Sequence, residues 1–418
     1  MSTQKLIGPF TQVVTMRGLL LKGPLRDAQL EIVSDAGLIV KDDKIVRIDD
    51  FQKLLKHWKE DKRDIEEIKE HQVLVPGFVD PHTHICWAGS RVTDFALRLE
   101  GKSYTEIAKQ GGGIWSTVLN TRKASAEHLE KNTRSRANAL LVTGTTTIEV
   151  KSGYGLNTES EVKMLEAISE ANIHVVPDLV PTCLAAHMLP VDFQGSADEY
   201  LEKILRDLLP QVMQKKLTHR VDIYVEKGAF TQAQAKQYLD KAKELGFDVV
   251  VHADQFSVGG SHTAFEVGAL SADHLEVSGE KEIHQLVRSN TIAVALPGAS
   301  LGLGEPFAPA RKLLDAGACL AMGSDWNPGS APMGDLLVQA SILGVYEKLS
   351  VAEILAAITF RSAAALNFHD RGILDTGKLA DFSAFPVHDY REIVYNQGRI
   401  KPSGVWKRGH LAYKHSAI

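Results

Sequence analysis

An apolar run that ends in histidines opens the central part of the chain, and it reads Leu74-Val75-Pro76-Gly77-Phe78-Val79-Asp80-Pro81-His82-Thr83-His84. Residues 74–79 have the length and the apolar content of a buried strand. Side chains alternate along an extended chain, so His82 and His84 point to the same side. Both imidazoles could then reach one metal ion. A His-x-His pair alone is a weak pattern, because histidines at a surface or a helix cap produce it too.

Seven more short apolar runs follow, separated by stretches with helical periodicity. They lie at 145–150, 173–179, 221–225, 248–252, 271–274, 291–296 and 318–323. Residues 231–245 carry apolar side chains at three-to-four spacing before Gly246, which is typical of a helix with a glycine C-cap. Eight strands alternating with helices over about 250 residues predict an α/β fold, a (β/α)8 barrel of the TIM type.

Short β-like runs also occur at both ends of the chain, for example at 12–16, 38–40 and 377–385. We expect the two ends to pair into one small β-sandwich domain. Residues 1–73 and 371–418 would form it, on either side of a barrel of residues 74–370. The stretch 85–126, with glycines at 111–113, is longer than a usual loop and is the candidate for the segment that covers the barrel mouth.

The overall composition is that of an ordinary soluble globular protein. The 418 residues include 47 Lys plus Arg and 52 Asp plus Glu, a net charge of -5, and 44% are hydrophobic, which excludes disordered and fibrous classes. No apolar run approaches the roughly 18 residues of a membrane span, the first residues lack a signal-peptide core, and Lys and Arg form no cluster suited to nucleic acid. We expect a cytoplasmic protein with a small-molecule substrate and neither a nucleic-acid nor a membrane partner; a homodimer is the default expectation.

The three cysteines, Cys86, Cys183 and Cys319, are an odd number and contain no CxxC pair. This argues against a disulfide framework and against a thiolate zinc site. We expect them to be small buried hydrophobic residues.

In a barrel of this type the active site lies at the C-terminal ends of the strands, so the residues that end each strand are the candidates. His82 and His84 follow the first strand, His252 ends the fifth and Asp325 ends the eighth. Three imidazoles and one carboxylate at one barrel mouth form a site for a divalent ion such as zinc or iron. His274 ends the sixth strand, where it could orient a water molecule or polarise a carbonyl without being a ligand.

Two motifs give the chain a resemblance to the amidohydrolase superfamily, whose members are metal-dependent barrels that hydrolyse amide or amidine bonds. They are residues 76–84 and the tail 372–381, which in that superfamily re-enters the small β-sandwich. The resemblance runs over essentially the whole chain. Within the superfamily, the chain is most similar to the members that open the imidazolone ring in histidine degradation. The segments that carry this closer likeness are 87–91, 112–114, 149–156 and 323–330.

Carried over by position, the resemblance implies metal ligands at the same four residues that the strand ends select. It implies hydrolysis of the cyclic amide of 4-imidazolone-5-propanoate to N-formimidoyl-L-glutamate. It also implies substrate contacts at Arg91, Tyr154, His187, Asn327, Gly329 and Ser330. Among these, the planar guanidinium of Arg91 suits a propionate carboxylate.

Two positions bear on the proton route and on the number of metal ions. Some members have a Glu three residues after the fifth-strand His, where this chain has Gln255. An amide cannot take a proton, so we assign Gln255 to substrate binding and general acid/base work to Asp325 and His274. In some two-metal relatives a modified Lys bridges the ions, but the surroundings of Lys151 resemble the single-metal members, so we expect one ion.

Two alternatives remain open at this point. The same metal set would serve a deaminase acting on a nucleobase-like ring, and fold does not fix function; a neutral base would have no need of Arg91. A non-catalytic relative could keep the barrel as an assembly or regulatory module, but it would have no reason to keep all four ligands.

Overall fold

The computed structural model describes residues 4–58, 64–102, 106–107 and 110–415. Its strands, in chain order, are β1 (Gln4–Val14), β2 (Ile32–Lys41), β3 (Lys44–Asp50), β4 (Ile65–Glu67), β5 (Val73–Pro76), β6 (Phe78–Asp80), β7 (Thr145–Lys151), β8 (Asp178–Ala186), β9 (Arg220–Val225), β10 (Asp248–Ala253), β11 (Ser271–His274), β12 (Ile292–Ala295), β13 (Leu320–Met322), β14 (Phe382–Phe385), β15 (Gly404–Lys407) and β16 (His410–Lys414).

The α-helices are α1 (Phe51–His57), α2 (Val92–Leu99), α3 (Gly113–Lys123), α4 (Ala126–Leu141), α5 (Thr158–Ile173), α6 (Ala197–Lys203), α7 (Leu209–Gln214), α8 (Gln232–Glu244), α9 (Gly260–Val267), α10 (Glu280–Val287), α11 (Pro297–Leu303), α12 (Ala310–Ala316), α13 (Leu336–Glu347), α14 (Val351–Ala357), α15 (Phe360–Ala365) and α16 (Arg391–Tyr395). A 3-10 turn covers Asp27–Gln29, and a π-helical turn over Ile204–Leu208 joins α6 to α7.

In the described part of the chain, eight parallel strands, β6 to β13, lie side by side in sequence order. The ends of this sheet meet beyond β6 and β13, where Thr83 and Trp326 form a parallel bridge. The Asp325 N–H donates to the His82 carbonyl at 2.9 Å, and the His84 N–H donates to the Trp326 carbonyl at 3.0 Å. The predicted (β/α)8 barrel is therefore confirmed, and its closure places the His-x-His pair directly beside Asp325.

A second, mixed sheet is built from both ends of the chain, in the order β16-β15-β14-β5-β1-β2-β3, with β4 paired to β1. Its central pairings join β5 in parallel to β1 and antiparallel to β14. Phe10, Leu38, Phe382 and Trp406 lie in its own apolar core. The sheet shared by the two termini is thus present, while the exact domain boundaries at 73/74 and 370/371 stay a prediction.

The predicted strand over 74–79 is wrong in one respect, because the structure divides it between the two sheets. β5 ends at Pro76 and belongs to the terminal sheet, and β6 starts the barrel at Phe78. The chain passes from one sheet to the other at Gly77. The Gly77 N–H donates to the Asp381 carbonyl next to β14, whereas the Phe78 N–H donates to the Gly144 carbonyl beside the barrel. A side chain at Gly77 would meet Thr146 at 2.4 Å.

The predicted strand over 173–179 is also misplaced. Helix α5 continues to Ile173, whose side chain is exposed, and β8 begins at Asp178. Polar residues within β8, such as Thr182, hide it from a search for apolar runs. In contrast, the helix predicted over 231–245 is confirmed as α8, which Thr231 caps in a capping box with Gln234.

The stretch 85–126 is not one long loop, because it contains α2 and α3. Residues 103–105 and 108–109 within it lie outside the described residues. Cys86, Cys183 and Cys319 are buried and unpaired, as predicted. Over the described ranges, no helix is both long enough and apolar enough to cross a membrane.

Candidate metal centre

Three buried histidines meet at the C-terminal end of the barrel. Nε2 of His84 lies 3.3 Å from Nε2 of His82 and 3.4 Å from Nε2 of His252. The His82 and His84 side chains follow β6, and His252 lies in β10, on the far side of the barrel order. Alternation along the extended chain aims the first two imidazoles at the same point, as the sequence predicts.

Asp325 completes the cluster from the other side. It follows β13 with a positive φ of 50°, and its Oδ1 lies 3.3 Å from Nε2 of His84 and 3.6 Å from Nε2 of His82. Burial would raise the pKa of Asp325, but the hydrogen bond and charge of His84 outweigh it and hold that pKa below its usual value. The group is therefore an ionised carboxylate facing the imidazoles.

The donor set fits a borderline divalent ion. Nδ1 of His82 and Nδ1 of His252 each lie against a carboxylate, at 2.6 Å and 2.8 Å, which favours a proton on Nδ1 and a lone pair on Nε2. Burial lowers the pKa of His252 to about 4 and that of His82 well below its usual value. Nε2 of His82 and Nε2 of His252 therefore turn their lone pairs toward the point that Nε2 of His84 and the Asp325 carboxylate also reach. Three ring nitrogens with one carboxylate suit zinc or iron.

A layer of charged side chains lies beneath the histidines. The carboxylate facing His82 belongs to Asp273, and the one facing His252 belongs to Asp222. Nζ of Lys151 lies 2.7 Å from Glu149, 2.8 Å from Asp222 and 3.7 Å from Asp273. Burial would lower the pKa of Lys151, but Asp222 and Glu149 outweigh it and raise that pKa.

His274 borders the cluster without joining it. Its ring centroid lies 5.4 Å from that of His252 and 5.8 Å from that of His82. Its φ of 84° is strained for a residue with a side chain, and Nδ1 lies 3.3 Å from Oε1 of Glu276. Burial would lower the pKa of His274, but the Glu276 carboxylate outweighs it and raises that pKa.

Tyr154 and His187 form an aromatic wall beside the metal-binding cluster. The His187 ring stacks on His84 with centroids 5.6 Å apart, and Tyr154 lies 5.6 Å from His187. Nδ1 of His187 lies 3.0 Å from the carbonyl of Gly153. The turn that carries Tyr154 is held by the buried Glu161 carboxylate, which accepts three backbone N–H groups of that turn.

Asn327 organises the turn after the eighth barrel strand. Its Nδ2 donates to the Asp325 carbonyl at 2.7 Å, and its Oδ1 accepts the N–H groups of Gly329 and Ser330, both at 2.8 Å. The Ser330 hydroxyl donates to Oδ2 of Asp325 at 3.3 Å. These two backbone N–H groups are therefore used inside the turn, and the turn mainly fixes Asp325.

Arg91 lies at the rim of the same mouth. Its Nε donates to Asp94, and its guanidinium lies against Gly329. Arg98, on the same helix α2, donates from Nη2 to the Gly329 carbonyl at 2.7 Å. The sequence analysis did not select Arg98, although it lies seven residues after Arg91, a spacing of about two helical turns that puts both side chains on one face.

Gln255 follows β10 and faces the aromatic wall rather than the metal-binding cluster. Its Oε1 accepts the Tyr224 hydroxyl at 2.6 Å. The Tyr224 ring lies 6.0 Å from His187 and 5.8 Å from His252. All candidate residues named from the sequence thus lie around one mouth, while Asp222, Glu149, Glu161 and Glu276 were missed because no local pattern marks them.

Comparisons with known proteins agree with this geometry. The model of the amidohydrolase family matches residues 73–412. The chain is 43% identical over 347 residues to the imidazolonepropionase of Bacillus cytotoxicus, covering 82% of each chain. It is 42% identical over 345 residues to the imidazolonepropionase of Bacillus mycoides, covering 82% of this chain and 81% of that one.

Solved structures resemble the fold over nearly the whole chain. An adenosine deaminase from Xanthomonas campestris with bound zinc has a TM-score of 0.71 at 18% identity, covering 97% of this chain and 92% of that one. An atrazine chlorohydrolase from Arthrobacter aurescens complexed with zinc has a TM-score of 0.69 at 16% identity, covering 98% and 95%. At such identities the likeness is one of fold.

Proposed function

Since the chain belongs to the amidohydrolase family, we propose that it hydrolyses the cyclic amide of 4-imidazolone-5-propanoate to N-formimidoyl-L-glutamate, a step of histidine degradation. The family and the narrower likeness to imidazolonepropionases support the reaction class. The observation that carries the proposal is the convergence of His82, His84 and His252 on one point beside the Asp325 carboxylate.

The proposed ligands of one metal ion are His82, His84, His252 and Asp325. Zinc and iron both suit this set, and ligand type does not choose between them. When bound, such an ion supplies a nucleophile from water at neutral pH and polarises the carbonyl that is attacked.

Asp325 and His274 are the proposed proton-handling groups. The Asp325 carboxylate takes the proton of the attacking water and passes it to the ring nitrogen as the C–N bond breaks. The Ser330 hydroxyl at Oδ2 and the turn of Asn327 fix that carboxylate for both transfers. His274 has Nδ1 turned to Glu276, which leaves Nε2 to donate to the oxygen that gains charge.

Arg91 is the proposed partner of the propionate carboxylate. A guanidinium at the rim favours a ring that carries a carboxylate over a neutral nucleobase. Tyr154, His187 and Gln255 are the further proposed substrate contacts. For Asn327, Gly329 and Ser330 the contact stays a prediction from the resemblance, because the backbone N–H groups of Gly329 and Ser330 already donate to Asn327. The homodimer and the cytoplasmic location stay predictions from the sequence.

A substrate panel tests the proposal. Metal-loaded protein would be incubated separately with 4-imidazolone-5-propanoate, guanine, cytosine and adenosine, and the products identified by mass spectrometry. The proposal expects N-formimidoyl-L-glutamate from the first compound and no ammonia from the others. Release of ammonia from a nucleobase, with the imidazolone untouched, would replace it by a deaminase.

A further inference from the structure

The charged layer beneath the histidines is unusual for the inside of a barrel. Barrel interiors are filled by layers of side chains from alternate strands, usually bulky and branched apolar ones. Here Lys151, Asp222 and Asp273 come from β7, β9 and β11, which are alternate strands. Each of these side chains is at most 1% exposed.

Burying these charges is unfavourable in itself, because each ion loses its hydration. The lysine ammonium gains contacts with three carboxylates, of which Glu149 also accepts the Thr182 hydroxyl at 2.6 Å. An apolar layer would fill the same space without this loss of hydration. The other two carboxylates, Asp222 and Asp273, connect this charged layer to the histidines.

Lys151 and two of the histidines face the same carboxylate oxygen atoms. Oδ2 of Asp222 lies 2.8 Å from Nζ of Lys151 and also 2.8 Å from Nδ1 of His252. Oδ2 of Asp273 lies 3.7 Å from the same Nζ and 2.6 Å from Nδ1 of His82. One ammonium therefore forms a close ion pair with the Asp222 oxygen and a longer one with the Asp273 oxygen, and these two atoms face the imidazoles of His252 and His82.

Lys151 lies on the Nδ1 side of the histidine rings, so it cannot itself be a ligand of an ion bound at Nε2. The histidine atoms that converge are Nε2, whereas Asp222 and Asp273, which lie between Lys151 and the rings, face Nδ1. Its Nζ is already committed to Glu149 and Asp222. A bridging role between two ions does not fit this placement.

We propose that Lys151 is a positioning residue of the metal site, whose ammonium fixes the Asp222 and Asp273 carboxylates that orient His252 and His82. The carboxylates hold the proton on Nδ1 and so present Nε2 to the ion. The inference rests on the metal site proposed above but not on the substrate.

The test measures zinc affinity rather than activity. The dissociation constant for zinc would be determined by competition with a chromophoric chelator for the wild type, for Lys151→Met and for Lys407→Met. Lys407 is the matched control, since it is also a buried lysine that donates to two carboxylates, Asp178 at 2.8 Å and Asp381 at 2.7 Å, without touching the histidines or their partners.

We expect Lys151→Met to raise the zinc dissociation constant by about 10- to 100-fold, the usual effect of losing a group that supports metal ligands. Lys407→Met should leave the constant unchanged. A folded Lys151→Met protein with the wild-type constant would overturn the inference. If Lys151→Met does not fold, Lys151→Gln takes its place, with the same expected loss and the same contradicting result.

A double-mutant cycle separates positioning from a general effect on stability. If Lys151 acts through Asp222, the loss of zinc affinity caused by Lys151→Met is smaller when Asp222→Asn is already present. Additive losses would contradict this route. A wild type that binds no zinc or iron would instead reject the proposed metal site, so the two failures are distinguishable.

Discussion

Oδ2 of Asp273 lies 2.6 Å from Nδ1 of His82, although His82 follows β6 and Asp273 lies in β11, strands that are not neighbours in the barrel. The contact fixes which ring nitrogen of His82 carries the proton and turns the other toward His84 and Asp325. The metal site is therefore built in two layers, with the imidazoles at the mouth and their carboxylate partners beneath them.

The first prediction concerns this contact. Asp273→Asn removes the carboxylate that faces Nδ1 of His82, so zinc affinity should fall by about 10- to 100-fold while the fold persists. Chelator competition measures the affinity and circular dichroism the fold. Asp178→Asn removes a carboxylate that pairs with Lys407 and Arg371 instead, and it should leave the zinc affinity unchanged. Equal zinc affinities in both variants would contradict the role of Asp273.

The second prediction concerns the cluster itself. His252→Ala and Asp325→Ala should each reduce kcat by about 10³-fold or more, because each removes a proposed ligand and the second also removes the proton acceptor. Steady-state turnover and bound metal per chain are the measurements. His262→Ala is the matched control, since His262 is half exposed and its ring contacts Gln285 on the neighbouring helix. Normal activity in a metal-free His252→Ala protein would reject the site.

The third prediction concerns the rim. Arg91→Ala should lower kcat/KM for 4-imidazolone-5-propanoate by about 10- to 100-fold, the range of a charged hydrogen bond of about 1.5–3 kcal/mol. Most of the change should appear in KM, because Arg91 lies at the rim rather than at the reacting atoms. Arg311→Ala serves as the control, as Arg311 pairs with Asp315 and Glu353. An unchanged KM in Arg91→Ala would exclude the proposed carboxylate partner.

These residues show what the sequence could and could not predict. His82, His84, His252 and Asp325 each follow or end an apolar run, so the barrel rule selects them from local pattern alone. The partners of Lys151 depend on side chains that meet across the barrel interior from strands that are not neighbours. No local pattern contains that information.

The errors in the fold have a similar cause. The run over 74–79 looks like one strand because both of its halves are apolar and buried. Only the pairing of Gly77 with Asp381 and of Phe78 with Gly144 shows that the chain passes from one sheet to another. The misplaced third strand reflects polar residues in β8 that face the barrel interior.

The fourth prediction concerns acid stability. Burial would raise the pKa of Asp178, but Lys407, Arg371 and Arg408 outweigh it and hold that pKa below its usual value. A lowered native pKa stabilises the fold above the unfolded pKa of about 3.9, and this stability is lost as the pH falls further. Asp178→Asn should cost about 1.5–3 kcal/mol at pH 7, since it removes a charged hydrogen-bond partner, while Lys407 keeps Asp381 and Arg371 keeps Asp370.

Urea unfolding at pH 7 and at pH 3 measures this effect. The difference between wild type and Asp178→Asn should shrink at the lower pH, because Asp178 of the unfolded wild-type chain then takes up a proton while the native carboxylate resists it. A difference that is the same at both values would show that the ion pairs contribute nothing to the pH dependence.

The most direct test of the central claim is hydrolysis of freshly generated 4-imidazolone-5-propanoate, followed by the loss of its ultraviolet absorbance. The measurement is made on the protein as purified, after removal of metal by a chelator, and after zinc or iron is restored. We predict turnover that disappears with the metal and returns with it. Absence of turnover in fully metallated protein, or turnover that survives complete removal of metal, would contradict it.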